Sequence, residues 1–303
     1  MPLDPSGSPA SGADPLDPLD PLDPANPVTT PAVQHVSDLI GTAPAAALAA
    51  TLDLDAPPAI GDALPPLWHW LYFWSITAQA ALGADGHAAT GGFLPDLGLP
   101  RRMAAGGRLR FAAPLPVGAA ATRESRVLSV ERKTGRSGPL AFVTVLHEIR
   151  AGAVTAIREE QDIVYREAAV PGRPQTPPTP VAAPGGAEWE RRVTPTEAML
   201  FRYSALTFNG HRIHYDRDYA RDIEGYPDLV VHGPLVATLL LDAAARFAPG
   251  TRVAGYAYQA VHPTFAGQPL TLCGRRADDG RALELWAHDH AGRLTMSARA
   301  HLA

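Results

Sequence analysis

The sequence predicts an α+β fold in which one unit, a helix followed by an antiparallel sheet, occurs twice. Alternating apolar segments separated by turn residues lie on both sides of a proline-rich stretch at residues 167–188. Pro114 stands four residues before Gly118, and Pro263 stands four residues before Gly267. The same order of elements in both halves indicates two packed copies of one unit. A length of 303 residues also favours two domains over one.

The first 32 residues are predicted to form a disordered tail. Residues 14–24 repeat Asp-Pro-Leu, and closely spaced prolines prevent both helices and sheet ladders. The segment has neither the basic start nor the apolar core of a signal peptide. No apolar run in the sequence approaches the roughly 20 residues that span a bilayer. We therefore expect a tail that contributes nothing to the core.

Residues 33–166 form the predicted N-terminal domain. Apolar spacing over residues 33–54 indicates one or two short helices. Residues 64–84 contain the aromatic cluster WHWLYFW and are predicted to form a long helical element ahead of the sheet. The cluster has two interpretations: packing of that element on the sheet, or lining of a pocket for an apolar acyl group. Four segments alternate as strands do: residues 107–112, 120–130, 140–149 and 154–165.

The prolines and glycines of residues 167–188 predict an extended linker and mark the domain boundary. Residues 189–303 form the predicted C-terminal domain. Its segment 234–247 is apolar nearly all round, so we expect a buried helix. Pro234 suits the first turn of that helix, where a missing N–H costs nothing.

The composition argues against several classes of function. A net charge of −5 gives no indication of a nucleic-acid partner. The single cysteine, Cys273, excludes an intramolecular disulfide and a cysteine-based zinc site, and it fits a reducing cytoplasm. Lys133 is the single lysine, and no phosphate-binding loop of the Gly-Lys-Ser/Thr type occurs. We expect a cytoplasmic protein without a membrane or nucleic-acid partner.

The segment FNGHRIHYD, residues 208–216, has the highest density of potentially catalytic side chains in the chain. His211 and His214 are candidates for moving protons near pH 7, and Asn209 can hold a water or a carbonyl group. The two histidines could instead form a metal pair, but the nearby sequence lacks a convincing third ligand, so we expect no metal. One of them could be purely structural. Asp216 could orient an imidazole or cap the next turn.

His232, Gly233 and Pro234 precede the predicted buried helix. Gly233 would let a ligand approach the backbone N–H groups at the positive end of the helix dipole. A thioester oxygen that gains negative charge would be stabilised there. The alternative is an ordinary Gly-Pro helix start.

The run TFNGHRIHYD followed by VVHGPLVATLL resembles the MaoC-like acyl-thioester hydratases and dehydratases. Within that family it is most similar to the branch of fungal 3-hydroxyacyl-thioester dehydratases and bacterial mesaconyl-C4-CoA (3-methylfumaryl-CoA) hydratases. The likeness extends upstream through WHWLYFW, GGFLPDLGLPRRMAAGGRLRF and GRSGPLAFVTVLHEI to EEQDIVYR, and so covers most of residues 60–303.

The resemblance implies a double hot-dog fold, with two antiparallel sheets each wrapped around a long helix and with one functional site. Many R-specific hydratases of this kind carry Asp-x-Asn-Pro-Leu-His. His214 matches the histidine of that motif, whereas Asn209 stands at the aspartate position and His211 at the asparagine position. Gly233 matches the helix-start glycine that polarises the thioester carbonyl. His211, Asp216 and His232 are candidates for supporting roles.

The resemblance implies an acyl-CoA substrate, no cofactor, and hydration of an enoyl-CoA such as mesaconyl-C4-CoA or itaconyl-CoA to citramalyl-CoA. Arg101 and Arg102 could bind a free carboxylate or a coenzyme A phosphate as guanidinium forks, or could be a solvated pair. Two alternatives stay open: dehydration of 3-hydroxyacyl chains in fatty-acid synthesis, and a hot-dog thioesterase or an inactive acyl-binding subunit. Since hot-dog units commonly pair, a homodimer is one expected assembly.

Overall fold

The computed structural model describes residues 32–135, 138–170, 172 and 179–303. The predicted tail, apart from residue 32, lies outside these residues, as do residues 171 and 173–178 of the proline-rich linker. Both domain boundaries therefore remain predictions. Within the described part of the chain, no helix is both long and apolar enough to cross a membrane.

One ten-stranded antiparallel sheet runs through the molecule in the order β1-β3-β4-β5-β2-β7-β10-β9-β8-β6. The strands are β1 Val33–Leu39, β2 Arg101–Phe111, β3 Ala120–Gly135, β4 Gly138–Ala151, β5 Val154–Arg166, β6 Trp189–Val193, β7 Val253–Ala260, β8 Leu270–Arg276, β9 Ala282–Asp289 and β10 Leu294–Leu302. Counted outwards from the β2–β7 pair, both halves have the same strand order. The four strands predicted in the first half are confirmed as β2 to β5, each somewhat longer than expected.

Among the described residues, three α-helices accompany the sheet: α1 Thr42–Thr51, α2 Glu197–Leu206 and α3 Gly233–Phe247. The prediction of a buried helix at 234–247 is confirmed as α3, which packs against β8, β9, β10 and β2. Leu235, Ala237 and Leu240 of α3 are fully buried. This α+β hot-dog architecture is the one that the resemblance implies, with two differences. The two expected sheets form one continuous sheet, and the described first half has the ten-residue α1 in place of a long helix.

The predicted repeat of the Pro-x-x-x-Gly spacing has a structural counterpart in each half. Gly118 and Gly267 both have positive φ angles, 91° and 75°, in a turn that leads into a strand. An isolated bridge precedes each turn, Ala63 with Pro116 in the first half and Val230 with Phe265 in the second. The two halves are therefore built alike around these turns.

The helical predictions in the first half are only partly confirmed: one short helix expected over residues 33–54 is present as α1, but the first residues of that range are not helical and the described residues 64–84 do not form the long helix. The long helix predicted over residues 64–84 is absent from that described segment, which forms only short 3₁₀ turns at Trp68–Leu71 and Gln79–Ala81. Leu67 and Phe73 adopt positive φ angles of 71° and 57°, and such angles interrupt a helix. Residues 33–39 form strand β1 instead of a helix, because they pair with β3.

The two halves of the sheet meet at a seam formed by β2 and β7. Gly106 pairs with Gln259, and the register continues to Arg110 opposite Gly255. A β-bulge between Ala104 and Gly106 shifts the pairing of β2 with β5. A Cβ atom at Gly106 would lie 2.5 Å from the Tyr258 carbonyl oxygen, so glycine is needed for this close approach.

Candidate active site

A cavity of about 1230 Å³ lies at the seam and is lined by residues of both halves. The second half contributes Asn209, His211, His214 and Gly233 to the lining. Arg102 lies on β2 and lines the same cavity from the first half. The structure thus brings together most of the residues that the sequence singles out.

His214 has the geometry of a general base. It ends the 3₁₀ turn Arg212–His214, and its Nδ1 lies 2.7 Å from the carbonyl oxygen of Val230. Because a carbonyl only accepts, Nδ1 carries the proton and Nε2 keeps its lone pair. Burial lowers the pKa of His214 to about 4, although the bond to Val230 opposes this. His214 is therefore neutral at pH 7 and able to accept a proton at Nε2.

His232 packs against His214 with nearly parallel rings, whose centroids are 3.6 Å apart. Its Nε2 is hydrogen-bonded to the Ser204 hydroxyl at 2.8 Å. Burial, with the nearby charges of His214 and His211 when protonated, holds the pKa of His232 well below its usual value. His232 thus supports the His214 ring on one face and leads directly into α3.

Gly233 is the first residue of α3 and lines the cavity. It is not among the glycines with positive φ. A Cβ atom at this position would have the Ala104 carbonyl oxygen, at 3.9 Å, as its closest neighbour. Neither the backbone angles nor the packing of the protein requires glycine here. The space beside Gly233 is available to a ligand that approaches the positive end of the helix.

Asn209 follows α2 and is held in a tight turn. Its Oδ1 accepts the backbone N–H of His211 at 3.0 Å, and its own N–H donates to the Ser204 carbonyl at 2.8 Å. Phe208 just before it has a φ angle of 50°. Since Oδ1 is occupied, the amide nitrogen is the part of Asn209 that can donate to a water in the cavity.

His211 lies between two other imidazoles. Its ring centroid is 5.4 Å from that of His214 and 4.2 Å from that of His87. Burial is the main cause that lowers the pKa of His211, and the positive charges of protonated His87 and His214 add to it. His87 lies in turn next to Asp85, with 2.9 Å between Nδ1 and Oδ2.

Asp85, His87 and His211 have potential ligand atoms that all lie within 4.8 Å of one another. Two imidazole nitrogens and one carboxylate oxygen are donors that suit a divalent transition metal. The sequence interpretation missed this cluster, because Asp85 and His87 belong to a loop more than a hundred residues upstream. No periodicity or local spacing connects that loop to His211. The cluster does not include His214, so the pair of His211 and His214 considered in the sequence is not the metal-like arrangement, and the expectation of no metal stays a prediction.

Asp216 has the capping role that was one of its two interpretations. Its Oδ1 accepts the backbone N–H of Tyr219 at 3.0 Å, at the start of the π-helical turn Tyr219–Ile223. Its Oδ2 is paired with Arg212 at 2.7 Å. The hydrogen bond from Tyr219 is the largest of the causes that lower the pKa of Asp216. Asp216 therefore holds the chain that follows the histidines.

The two adjacent arginines differ in their surroundings. Arg101 forms a buried ion pair with Glu224, at 2.6 Å, and is not among the residues that line the cavity. Arg102 donates to the Ala88 carbonyl at 2.6 Å, while its buried Nε has no hydrogen-bond partner among the described atoms. Arg102 also lines a second cavity of about 550 Å³. Of the pair, Arg102 is placed to meet a ligand.

The second cavity adjoins the first through Arg102 and Gln161, which line both. Trp70 and the buried Glu159 face it, joined by a hydrogen bond of 2.9 Å from the indole Nε1. Burial would raise the pKa of Glu159, but the hydrogen bond from His69 and its charge lower it to about 2. The core interpretation of the aromatic cluster is confirmed for Trp68, Leu71 and Phe73. Trp70, Phe73 and Trp74 line the second cavity, and its use for an apolar acyl group stays a prediction.

Comparisons with known proteins identify the family of the chain. The model of the family described as hydroxyacyl-thioester dehydratase type 2 matches residues 67–266. The mesaconyl-C(4)-CoA hydratase of Chloroflexus aurantiacus is 46% identical over 271 residues, which cover 89% of this chain and 95% of the relative. The mitochondrial type 2 hydroxyacyl-thioester dehydratase of Schizosaccharomyces pombe is 28% identical over 78% of this chain and 88% of the relative.

Solved structures have the same fold. HtdX of Mycobacterium tuberculosis superposes with a TM-score of 0.62 at 19% identity, over 89% of this chain and all of that one. A MaoC-like dehydratase superposes with a TM-score of 0.62 at 15% identity, over 89% of this chain and 97% of that one. At these identities the likeness supports the double hot-dog fold alone.

Proposed function

This chain belongs to the hydroxyacyl-thioester dehydratase type 2 family, and from that premise we propose that it is a hydro-lyase. It adds water reversibly across the double bond of an enoyl-CoA thioester, with mesaconyl-C4-CoA or itaconyl-CoA as substrate and citramalyl-CoA as product. The observation that carries this proposal is the cavity in which a neutral buried histidine, His214, and the start of helix α3 meet. A base and a set of backbone N–H donors are what such a reaction needs.

The mechanism uses three residues of the second half. The N–H of Gly233 donates to the thioester oxygen and makes the β-carbon electrophilic. A water held by the amide nitrogen of Asn209 loses a proton to Nε2 of His214 and bonds to the β-carbon. A proton then adds to the α-carbon, and dehydration is the reverse sequence.

A charged acyl group has a partner in the cavity wall. Mesaconyl-C4-CoA carries a free carboxylate close to its double bond, and the guanidinium of Arg102 lies in the cavity wall. A guanidinium can bind such a carboxylate through two N–H groups.

The 46% identity to a mesaconyl-C(4)-CoA hydratase over nearly the full length of both chains favours the same substrate class. The second candidate function is dehydration of 3-hydroxyacyl thioesters in fatty-acid synthesis, favoured by the likeness to the Schizosaccharomyces pombe dehydratase. A thioesterase or an inactive acyl-binding subunit is the third alternative. Asn209 in place of a carboxylate argues against a thioesterase, and the neutral base His214 in the cavity argues against an inactive subunit.

The test is to incubate the protein separately with mesaconyl-C4-CoA, itaconyl-CoA and crotonyl-CoA. Loss of enoyl absorbance reports hydration, and a thiol reagent reports release of free coenzyme A. We expect hydration of a branched dicarboxylic substrate without thiol release. Thiol release without hydration would refute the hydro-lyase proposal, and activity confined to the unbranched crotonyl-CoA would favour the dehydratase.

Assembly and location are further proposals. We infer an acyl-CoA substrate as the main partner, a homodimer as the expected assembly, and a cytoplasmic location. The edge strand β1 supports pairing of two copies, since Val33 and Leu39 on it are exposed. Light scattering on the purified protein would test the assembly.

A further inference from the structure

We propose that His87, oriented by Asp85, is the second proton-transferring residue of this site and exchanges the proton at the α-carbon of the acyl thioester. The inference rests on the proposed hydro-lyase function. It names a residue for protonation of the α-carbon, a step to which the proposed mechanism assigns none. Hydration needs one proton removed from water and one added to carbon. His214 accounts for the first, and the amide of Asn209 cannot transfer a proton.

The loop that carries His87 is docked closely on the catalytic segment. Gly86 has a φ angle of 86°, and a Cβ atom on it would lie 2.0 Å from the carbonyl oxygen of Gly210. A Cβ atom on Gly210 would lie 2.7 Å from the Gly86 oxygen. The backbone N–H of Arg212 donates to the Asp85 carbonyl at 2.9 Å. Two facing glycines thus let the loops touch backbone to backbone and bring His87 against His211.

Asp85 fixes the orientation of the His87 ring. One carboxylate oxygen accepts the backbone N–H of His87 at 3.0 Å, and the other lies 2.9 Å from its Nδ1. A carboxylate oxygen beside Nδ1 accepts the proton of that nitrogen and leaves Nε2 as the atom that takes and gives protons, as in a catalytic Asp-His pair.

His87 is also within reach of a ligand. It lines the same cavity as His214 and Gly233, and its side chain is 27% exposed. Of the described His-carboxylate pairs, the one between His69 and Glu159 is almost fully buried, whereas the one between His35 and Glu124 lies on the surface. The pair formed by Asp85 and His87 therefore combines a fixed ring with access to the cavity.

The proton and electron balance of the step is simple. As water bonds to the β-carbon and His214 takes its proton, the π electrons of the double bond move onto the thioester oxygen at Gly233. Protonated His87 then gives its Nε2 proton to the α-carbon while the enolate electrons return. His214 releases a proton to solvent and His87 takes one up, so the sum is the addition of one water molecule.

The experiment compares four proteins in the hydratase assay: wild type, His87→Ala, Asp85→Asn and His35→Ala. The last is a matched control, since His35 is exposed and lies 3.9 Å from a carboxylate, that of Glu124. We expect His87→Ala to lower kcat by about 10²–10⁴-fold with a small change in KM, because it removes an acid/base and not a binding group. Asp85→Asn should lower kcat less, and His35→Ala should match wild type.

Added imidazole separates a catalytic role from a structural one. Imidazole should restore at least about tenfold of the kcat lost in His87→Ala, because a small base can occupy the vacated space. Imidazole should not restore the kcat of Asp85→Asn, because the His87 ring is still present in that variant. Circular dichroism and thermal unfolding establish that each variant is folded. If His87→Ala does not fold, the larger His87→Gln replaces it: a folded and inactive His87→Gln supports the proposal, and an active one overturns it.

Three results would overturn the proposal. One is a folded His87→Ala whose kcat stays within about threefold of wild type. Another is a loss of kcat in His87→Ala that imidazole does not restore. The last is a metal content of one ion per chain in wild type that is lost in both Asp85→Asn and His211→Ala. The cluster of Asp85, His87 and His211 would then be a metal centre. A wild type inactive on every enoyl-CoA would instead refute the proposed function.

Discussion

Replacing Gly233 by alanine should separate stability from catalysis. The added Cβ would have no protein atom closer than the 3.9 Å to the Ala104 oxygen, and the φ angle is not one that requires glycine. Alanine also reduces the conformational freedom of the unfolded chain. We therefore expect the free energy of unfolding to stay the same or rise by about 0.4–1 kcal/mol.

Catalysis should suffer at the same position. A thioester oxygen bound by the Gly233 N–H would lie about 2.9 Å from the nitrogen, in space that the new methyl group crowds. Loss of one such donor typically lowers kcat by about 10²–10³-fold, or about 2.7–4 kcal/mol of transition-state stabilisation.

The assay pairs thermal unfolding with steady-state hydration of mesaconyl-C4-CoA. Gly185→Ala is the control, because a Cβ there would meet no atom within 4 Å and Gly185 lies outside the cavity. A Gly233→Ala enzyme with kcat within about threefold of wild type would refute the placement of the thioester oxygen. A marked loss of stability would instead refute the packing argument.

Three further predictions concern the same site. His214→Ala should lose about 10²–10⁴-fold in kcat while staying folded, whereas Asn209→Ala should lose less; a greater loss in His211→Ala, measured in the same assay, would reverse the assignment of the base. Arg102→Met should raise KM for a dicarboxylic enoyl-CoA more than for crotonyl-CoA, since only the former offers a carboxylate, and an equal effect on both would contradict this. The pKa of His214 is lowered from 6.5 to about 4 in the folded state, so the unfolded chain binds more protons between these values. The free energy of unfolding should therefore fall as the pH drops from 6.5 to 4, and activity should decline as the pH approaches 4. Urea unfolding at several pH values measures the free energy of unfolding. A free energy that does not change with pH in this window would contradict the prediction.

The parts that the sequence predicts well are those with local signals. The alternation of β2 to β5 and the apolar run of α3 are set by neighbouring residues, so their periods identify them. His214 and Gly233 could be singled out because each belongs to a short segment of unusual composition. Their meeting in one cavity was an expectation from the resemblance, and the geometry of the second half agrees with it.

The rest depends on contacts between distant segments. Asp85 and His87 lie in a loop without periodicity, and only its docking on Gly210 brings them to the site. The aromatic stretch ahead of β2 has a helical appearance, but Leu67 and Phe73 take positive φ angles when their side chains enter the core. Such tertiary contacts override local propensity, and the local sequence gives no signal of them.

The seam between β2 and β7 makes catalytic competence depend on how two halves of one chain sit together. A shift of β2 along β7 would carry Arg102 away from Gly233 while leaving each half of the sheet internally intact. A Cβ atom added at Gly106 would lie 2.5 Å from the Tyr258 carbonyl oxygen, so glycine at this position maintains the alignment although it does not line the cavity. Inactivating changes in this protein can therefore arise at positions with no chemistry of their own, and a loss of activity at Gly106 would report a misaligned active site.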